Sequence, residues 1–299
     1  MRAPNPLVLR ELRARSRRIA RQAAGPTNLT AARYWSRTSA ACGADLTALT
    51  KPLRGVILML VAAGGGGVRT AWADSTGARR AMRFFRRHWY EVGAVVAVGA
   101  VGGLALMWQD MGVLQRLLLT NFIVLLVHQY EEYGWPGGEP AIMNMVLQRS
   151  STPDRYPLNQ LSAMVVNVPG AYGFYLAPVF FPTVIWLGLA PVLFGILQFV
   201  VHGVVTNVKL RSVYNPGLAA VVLGHIPVGA CYLYHIHAQG LASVWDWVFG
   251  VAYMLAFQLV CLMKMTYTWL ADRDSPYAFA DEEMRRFDVR QKLERLAVR

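Results

Sequence analysis

Few folds are open to a chain with six long apolar stretches, here at about residues 92–108, 113–133, 159–180, 183–207, 217–237 and 244–270. Each approaches or exceeds the ~20 residues that an α-helix needs to cross a hydrocarbon layer of about 30 Å. Lipid offers the backbone no hydrogen-bond partners, so only helices and closed barrels span it, and uninterrupted apolar runs of this length read as helices. The expected fold is therefore all-α: a polytopic membrane helical bundle of about six transmembrane helices. Hydrophobic residues make up 55% of the 299, in keeping with that class.

Charge refines the organisation. The net charge of +13 would suggest nucleic acid if it were spread evenly, but residues 1–81 carry 14 Lys and Arg against 3 Asp and Glu. The rest of the chain is close to neutral, so no nucleic-acid partner is expected. Residues 1–81 read as a basic, disordered tail able to meet anionic lipid, with Met82 as an alternative start. Residues 82–270 form the bundle and 271–299 a cytoplasmic amphipathic helix at the membrane surface. Arg79, Arg80, Arg83, Arg86 and Arg87 precede the first span, and Arg149, Arg155, Lys209, Arg211, Arg273, Arg285 and Arg286 mark the other connections on that side. The opposite connections have no Lys or Arg. The positive-inside rule then places both termini in the cytoplasm. Cys42, Cys231 and Cys261 have no CxxC spacing, so a disulfide framework or zinc knuckle is not expected.

The chemistry concentrates at the end of the second span, His128-Gln-Tyr-Glu131-Glu132-Tyr-Gly134-Trp-Pro136. His128, Glu131 and Glu132 stand at i, i+3 and i+4 and share one helix face, with Asn121 two turns earlier. Gly134 is expected to end the helix in a left-handed conformation. Both acids then lie at the negative end of the helix dipole, where each costs about 0.3–1 kcal/mol unless an ion, a base or a proton offsets it. His202 on the fourth span matches His128 in depth and is expected within roughly 7 Å of it or of a glutamate. Asn167, His225 and Lys264 approach the same layer from other spans, Lys264 as a snorkelling side chain or a counter-ion. Asn215 precedes Pro216 as an expected helix cap. Ionisable groups inside a membrane are costly, so this layer is the candidate site. The plainer alternative is a wet helix end and cross-helix hydrogen bonds.

With Tyr214-Asn-Pro-Gly217-Leu218 and the later Pro227, the His128-Gln-Tyr-Glu131-Glu132 motif and His202 resemble the bacterial HXXEE-domain membrane proteins over about residues 84–237. That family has no established activity. The resemblance implies a multi-pass protein of the bacterial cytoplasmic membrane. A weaker likeness, an analogy for chemistry rather than membership, is to the membrane CAAX-processing and bacteriocin-processing proteases, which also use a Glu pair with later His and Asn. The chain departs from them in having Pro136 where an Arg is expected, and in spacing His202 and Asn207 five apart.

Three functions follow. The first is a hydrolase on a lipid or membrane-associated substrate, in which Glu131 or Glu132 activates water, or His128, Glu131, Glu132 and His202 hold a metal. Such a ligand set suits zinc, with iron or manganese as alternatives, and Asn167 or Asn215 would steady an oxyanion. The second is a proton- or cation-coupled transporter or binding protein built on the same layer. The third is an accessory membrane protein without catalysis.

Overall fold

A computed structural model describes residues 76–298, so the readings on the tail up to residue 75 lie outside the described residues. Among the described residues six helices are long and apolar enough to cross a membrane: α1 (Thr76–Leu106), α2 (Val113–Tyr133), α3 (Gln160–Phe180), α4 (Ile185–Leu210), α5 (Leu218–Ala238) and α6 (Val244–Trp269). No strand occurs among the described residues. α1 starts at Thr76 and runs unbroken past Met82, with a kink at His88 (φ −121°), so its first turn comes from what reads as tail.

The helices run alternately up and down. Gln115 at the start of α2 donates to the carbonyl of Val179 at the end of α3 (3.0 Å), and Asn159 before α3 donates to the carbonyl of Leu270 after α6 (2.8 Å). The connections 107–112, 181–184 and 239–243 therefore gather at one end, and 134–159, 211–217 and 270–298 at the other. Mid-bundle, Phe122, Leu126, Phe174, Phe194 and Phe257 from α2, α3, α4 and α6 form one core, with Phe174 stacked on Phe257 (centroids 4.0 Å). Leu118, Leu189, Tyr232 and Ile236 join α2, α4 and α5 toward the first end.

The helices are not uniform. π-helical turns occupy Val166–Tyr172 in α3, Val200–Thr206 in α4 and Val221–His225 in α5. Such turns leave extra backbone per turn, re-aim the side chains that follow, and recur at functional positions. Asn167, His202 and His225 all fall within them.

At the second end the chain folds back over the bundle. The C-terminal helix α7 (Val289–Ala297) buries Val289 completely against Ala141, Ile142, Val146 and Leu210. Part of its apolar stripe, Val289 with half-buried Leu293, thus packs on protein. The reason is the short helical segment at 139–147, which supplies an apolar partner. Gly138 sits at φ +110°, and a Cβ there would stand 2.9 Å from the carbonyl oxygen of Arg286, so glycine permits this close approach.

Candidate metal centre

Glu132 is the hinge of the site. His128 and Glu132 are separated by one turn of α2, and Nε2 of His128 lies 3.2 Å from Oε1 of Glu132. From α4, His202 brings its Nε2 to 3.4 Å from the same oxygen. Each of the three residues offers a ligand atom within 4.8 Å of those of the other two, and all three are buried. The imidazoles of His128 and His202 meet nearly perpendicular, with centroids 5.0 Å apart. His128 is 2% exposed, yet neither ring nitrogen has a hydrogen-bond partner among the described residues, so the approach to Glu132 is close without being aligned.

The ring of His202 is held from behind. Its Nδ1 lies 2.8 Å from Oδ1 of Asn215, whose Nδ2 donates to the carbonyl of His202 (2.6 Å) and to Oδ1 of Asn207 (2.7 Å). The amide nitrogen is committed to two acceptors, so its oxygen faces the ring and accepts from Nδ1–H. Nε2 is left facing Glu132, where a cation would displace its proton and take it as a ligand atom. His202 and Asn207, five apart, reach one partner because the π-helical turn brings i and i+5 together. Asn215 does not cap α5: the helix starts at Leu218 after Gly217.

The cap comes from α2. Oε1 of Glu131 accepts from Tyr214 Oη (2.8 Å) and the backbone N–H of Ala219 (3.1 Å), and Oε2 accepts from the N–H of Ala220 (2.8 Å). Both oxygens are spent on the start of α5, so Glu131 stands apart from the ligand triangle that the HxxEE spacing suggested for it. The positive end of α5 offsets the cost of a carboxylate at the negative end of α2. Burial, followed by this bond to Glu131, raises the Tyr214 hydroxyl above its ordinary range and keeps it a donor. Gly217, at φ +97°, lies against His202, and a Cβ there would be 2.6 Å from Cε1. Tyr214-Asn215-Pro216-Gly217 is thus a cradle for His202 and Glu131 at once.

The other expected residues fall differently. Asn167 accepts from Gln129 Nε2 (3.1 Å) and donates to the carbonyl of Ala163 (2.9 Å), a cross-helix bond beside the cluster and not part of it. Lys264 is exposed, with Nζ 5.5 Å from the Trp269 ring centroid, and pairs with neither glutamate. The end of α2 is met instead by Arg286, which donates to the carbonyl of Tyr133 and to Tyr90 Oη (3.3 Å). Gly134 ends α2 at φ −96°, and the left-handed positions come later, at Gly137 and Gly138. His225 pairs with Oδ1 of Asn121 (3.0 Å), and its ring lies 5.5 Å from that of His128.

One carboxyl was not anticipated. Glu139, 6% exposed just after Gly138, lies near enough for the charges of Glu132 and His202 to act on it. Burial, then Glu132, push it up to about 8. In sequence it looks like part of a Gly/Pro turn, and only the sharp return of the chain under α2 brings it inward.

Residues 119–232 match a family model described as a protein of unknown function with HXXEE motif. Over that segment the chain is similar to the HXXEE family. The segment contains all three triangle residues, Glu131, Glu139, the Asn215 cradle and the Asn121–His225 pair, so nearly the whole site falls within the matched residues, with Arg286 added from outside them. No curated protein and no solved structure matches the chain, and the likeness to membrane proteases receives no support.

Proposed function

We propose that the chain is a membrane-embedded hydrolase, acting at the cytoplasmic leaflet on a lipid or membrane-associated substrate with a divalent cation held by His128, Glu132 and His202. The observation that carries this reading is the convergence of one ligand atom each from His128, Glu132 and His202 within 4.8 Å inside an apolar bundle. The donor set fits: two imidazoles and one carboxylate leave a coordination position open, as in catalytic zinc sites, and iron or manganese accept the same ligands. A cation there supplies Lewis-acid polarisation of a substrate carbonyl or phosphoryl oxygen and an acidified water. The protein's part is positional. Asn215 fixes the His202 tautomer, Glu132 joins the two rings, and Glu139 presents a second carboxyl to whatever occupies the centre. Glu131 holds α5 in register and takes no part in the chemistry. The basic residues on the connections at this end support a cytoplasmic location for the site and both termini.

A cation-coupled transporter is the second reading. It is favoured by further buried polar atoms without partners among the described residues, Nε2 of His225, Nδ2 of Asn121 and Oη of Tyr175, which extend the polar layer past the triangle. The two separate on one preparation. Metal-loaded protein in mixed micelles with total membrane lipid should yield new hydrolysis products by mass spectrometry, absent with Glu132→Gln. Zinc uptake into proteoliposomes driven by a pH gradient, without such products, would replace the hydrolase by the transporter.

A further inference from the structure

We propose that His225 is a fourth protein ligand of the cation, giving three imidazoles from three helices and one carboxylate. This rests on the reading that the cluster holds a divalent ion. His225 ends the π-helical turn of α5 and is 1% exposed. Its Nδ1 faces Oδ1 of Asn121 at 3.0 Å, the relation that Asn215 has to His202. With the amide oxygen toward the ring, Nδ1 carries the hydrogen and a neutral imidazole keeps its lone pair on Nε2. That Nε2 is buried and has no hydrogen-bond partner among the described residues. A lone pair left unpaired in an apolar interior costs about 1–3 kcal/mol, and an ion relieves it.

The ring spacing agrees. Two imidazoles on one ion, with metal–nitrogen distances of ~2.0–2.1 Å, place their centroids about 5 Å apart. His128 lies 5.0 Å from His202 and 5.5 Å from His225. His225 is not among the residues whose ligand atoms lie within 4.8 Å of one another, so its ring must move toward the other two when the ion binds. Gly195 makes room for the ring on its far side, where a Cβ would come within 2.5 Å of Nδ1. Three imidazoles with one carboxylate keep an open position only around a five- or six-coordinate ion, which favours iron or manganese over four-coordinate zinc.

The test uses the full chain in detergent, stripped with chelator and reloaded with cobalt(II). X-ray absorption should count three imidazoles in the wild type and two in His225→Ala, with cobalt affinity at least about 10-fold weaker in the variant. Two imidazoles in both proteins, or equal affinity, would overturn the proposal. If His225→Ala does not fold, Asn121→Leu keeps the imidazole and frees Nδ1. It should weaken cobalt about 10–100-fold, and unchanged affinity would equally overturn it. If the wild type takes up no cobalt, zinc, iron or manganese, the cation reading itself falls, and this inference with it.

Discussion

Asn215 holds His202 by its Nδ1 edge, 2.8 Å from amide oxygen to ring nitrogen, and so turns Nε2 toward Glu132. The bond runs from the loop before α5 into the middle of a π-helical turn in α4. Asn215→Ala would leave the ring free to rotate and to change tautomer. Zinc affinity, measured by competition with a chelating dye, should fall about 10–100-fold with helical content unchanged. Gly217→Ala should act in the same direction, because its Cβ would collide with the ring it cradles. Wild-type affinity in both variants would show that the cradle does not position His202.

The two glutamates of the motif are predicted to separate cleanly. Glu131 makes three hydrogen bonds to α5 and its lead-in, and bonds to a charged group are each worth about 1.5–3 kcal/mol. Glu131→Ala should destabilise the protein by at least about 2 kcal/mol, read as a lower melting temperature in detergent. Glu131→Gln should lose less stability and keep metal binding. Loss of the metal from a well-folded Glu131→Gln protein would place this residue back among the ligands.

Much of the fold was legible because membrane spans are set by length and hydropathy, which the sequence states directly. The pairing of His128 with Glu132 was legible from their spacing, and that of His202 with Glu132 from matched depth. The fate of Glu131 was not, because it depends on which helix begins across from it. Asn215 read as a cap since Asn before Pro usually is one. Helical spacing at 3.6 residues per turn misjudges faces once a π-helical turn intervenes, as between His202 and Asn207. Arg286, 154 residues beyond Glu132, carries no local mark of its role at the end of α2.

Glu139 gives a pH dependence. Burial and Glu132 raise its folded-state value to about 8 from an ordinary 4.5. Folding therefore favours the protonated acid. The stability this contributes is complete below about pH 4.5 and is lost as pH rises through about 8. In chelator-treated protein, Glu139→Gln should remove that decline and become more stable than the wild type above pH 8. Parallel stability profiles from pH 6 to 9 would show that Glu139 is not held as the neutral acid.

Sidedness can be checked without knowing the reaction. In a background lacking Cys42, Cys231 and Cys261, Asp110→Cys lies in the exposed 107–112 connection, and Val213→Cys, 93% exposed, lies beside the site. An impermeant maleimide should label position 110 in intact cells and position 213 only after permeabilisation. The reverse pattern would move the site to the outer face.

The proposal that His128, Glu132 and His202 hold one divalent cation is open to direct measurement. Metal analysis of purified full-length protein, beside Glu132→Gln and His128→Ala, tests it most directly. About one equivalent of zinc, iron or manganese is expected per wild-type chain, and almost none in either variant at unchanged circular dichroism and elution volume. A folded wild type that takes up no metal, or a Glu132→Gln protein that keeps a full equivalent, would contradict it.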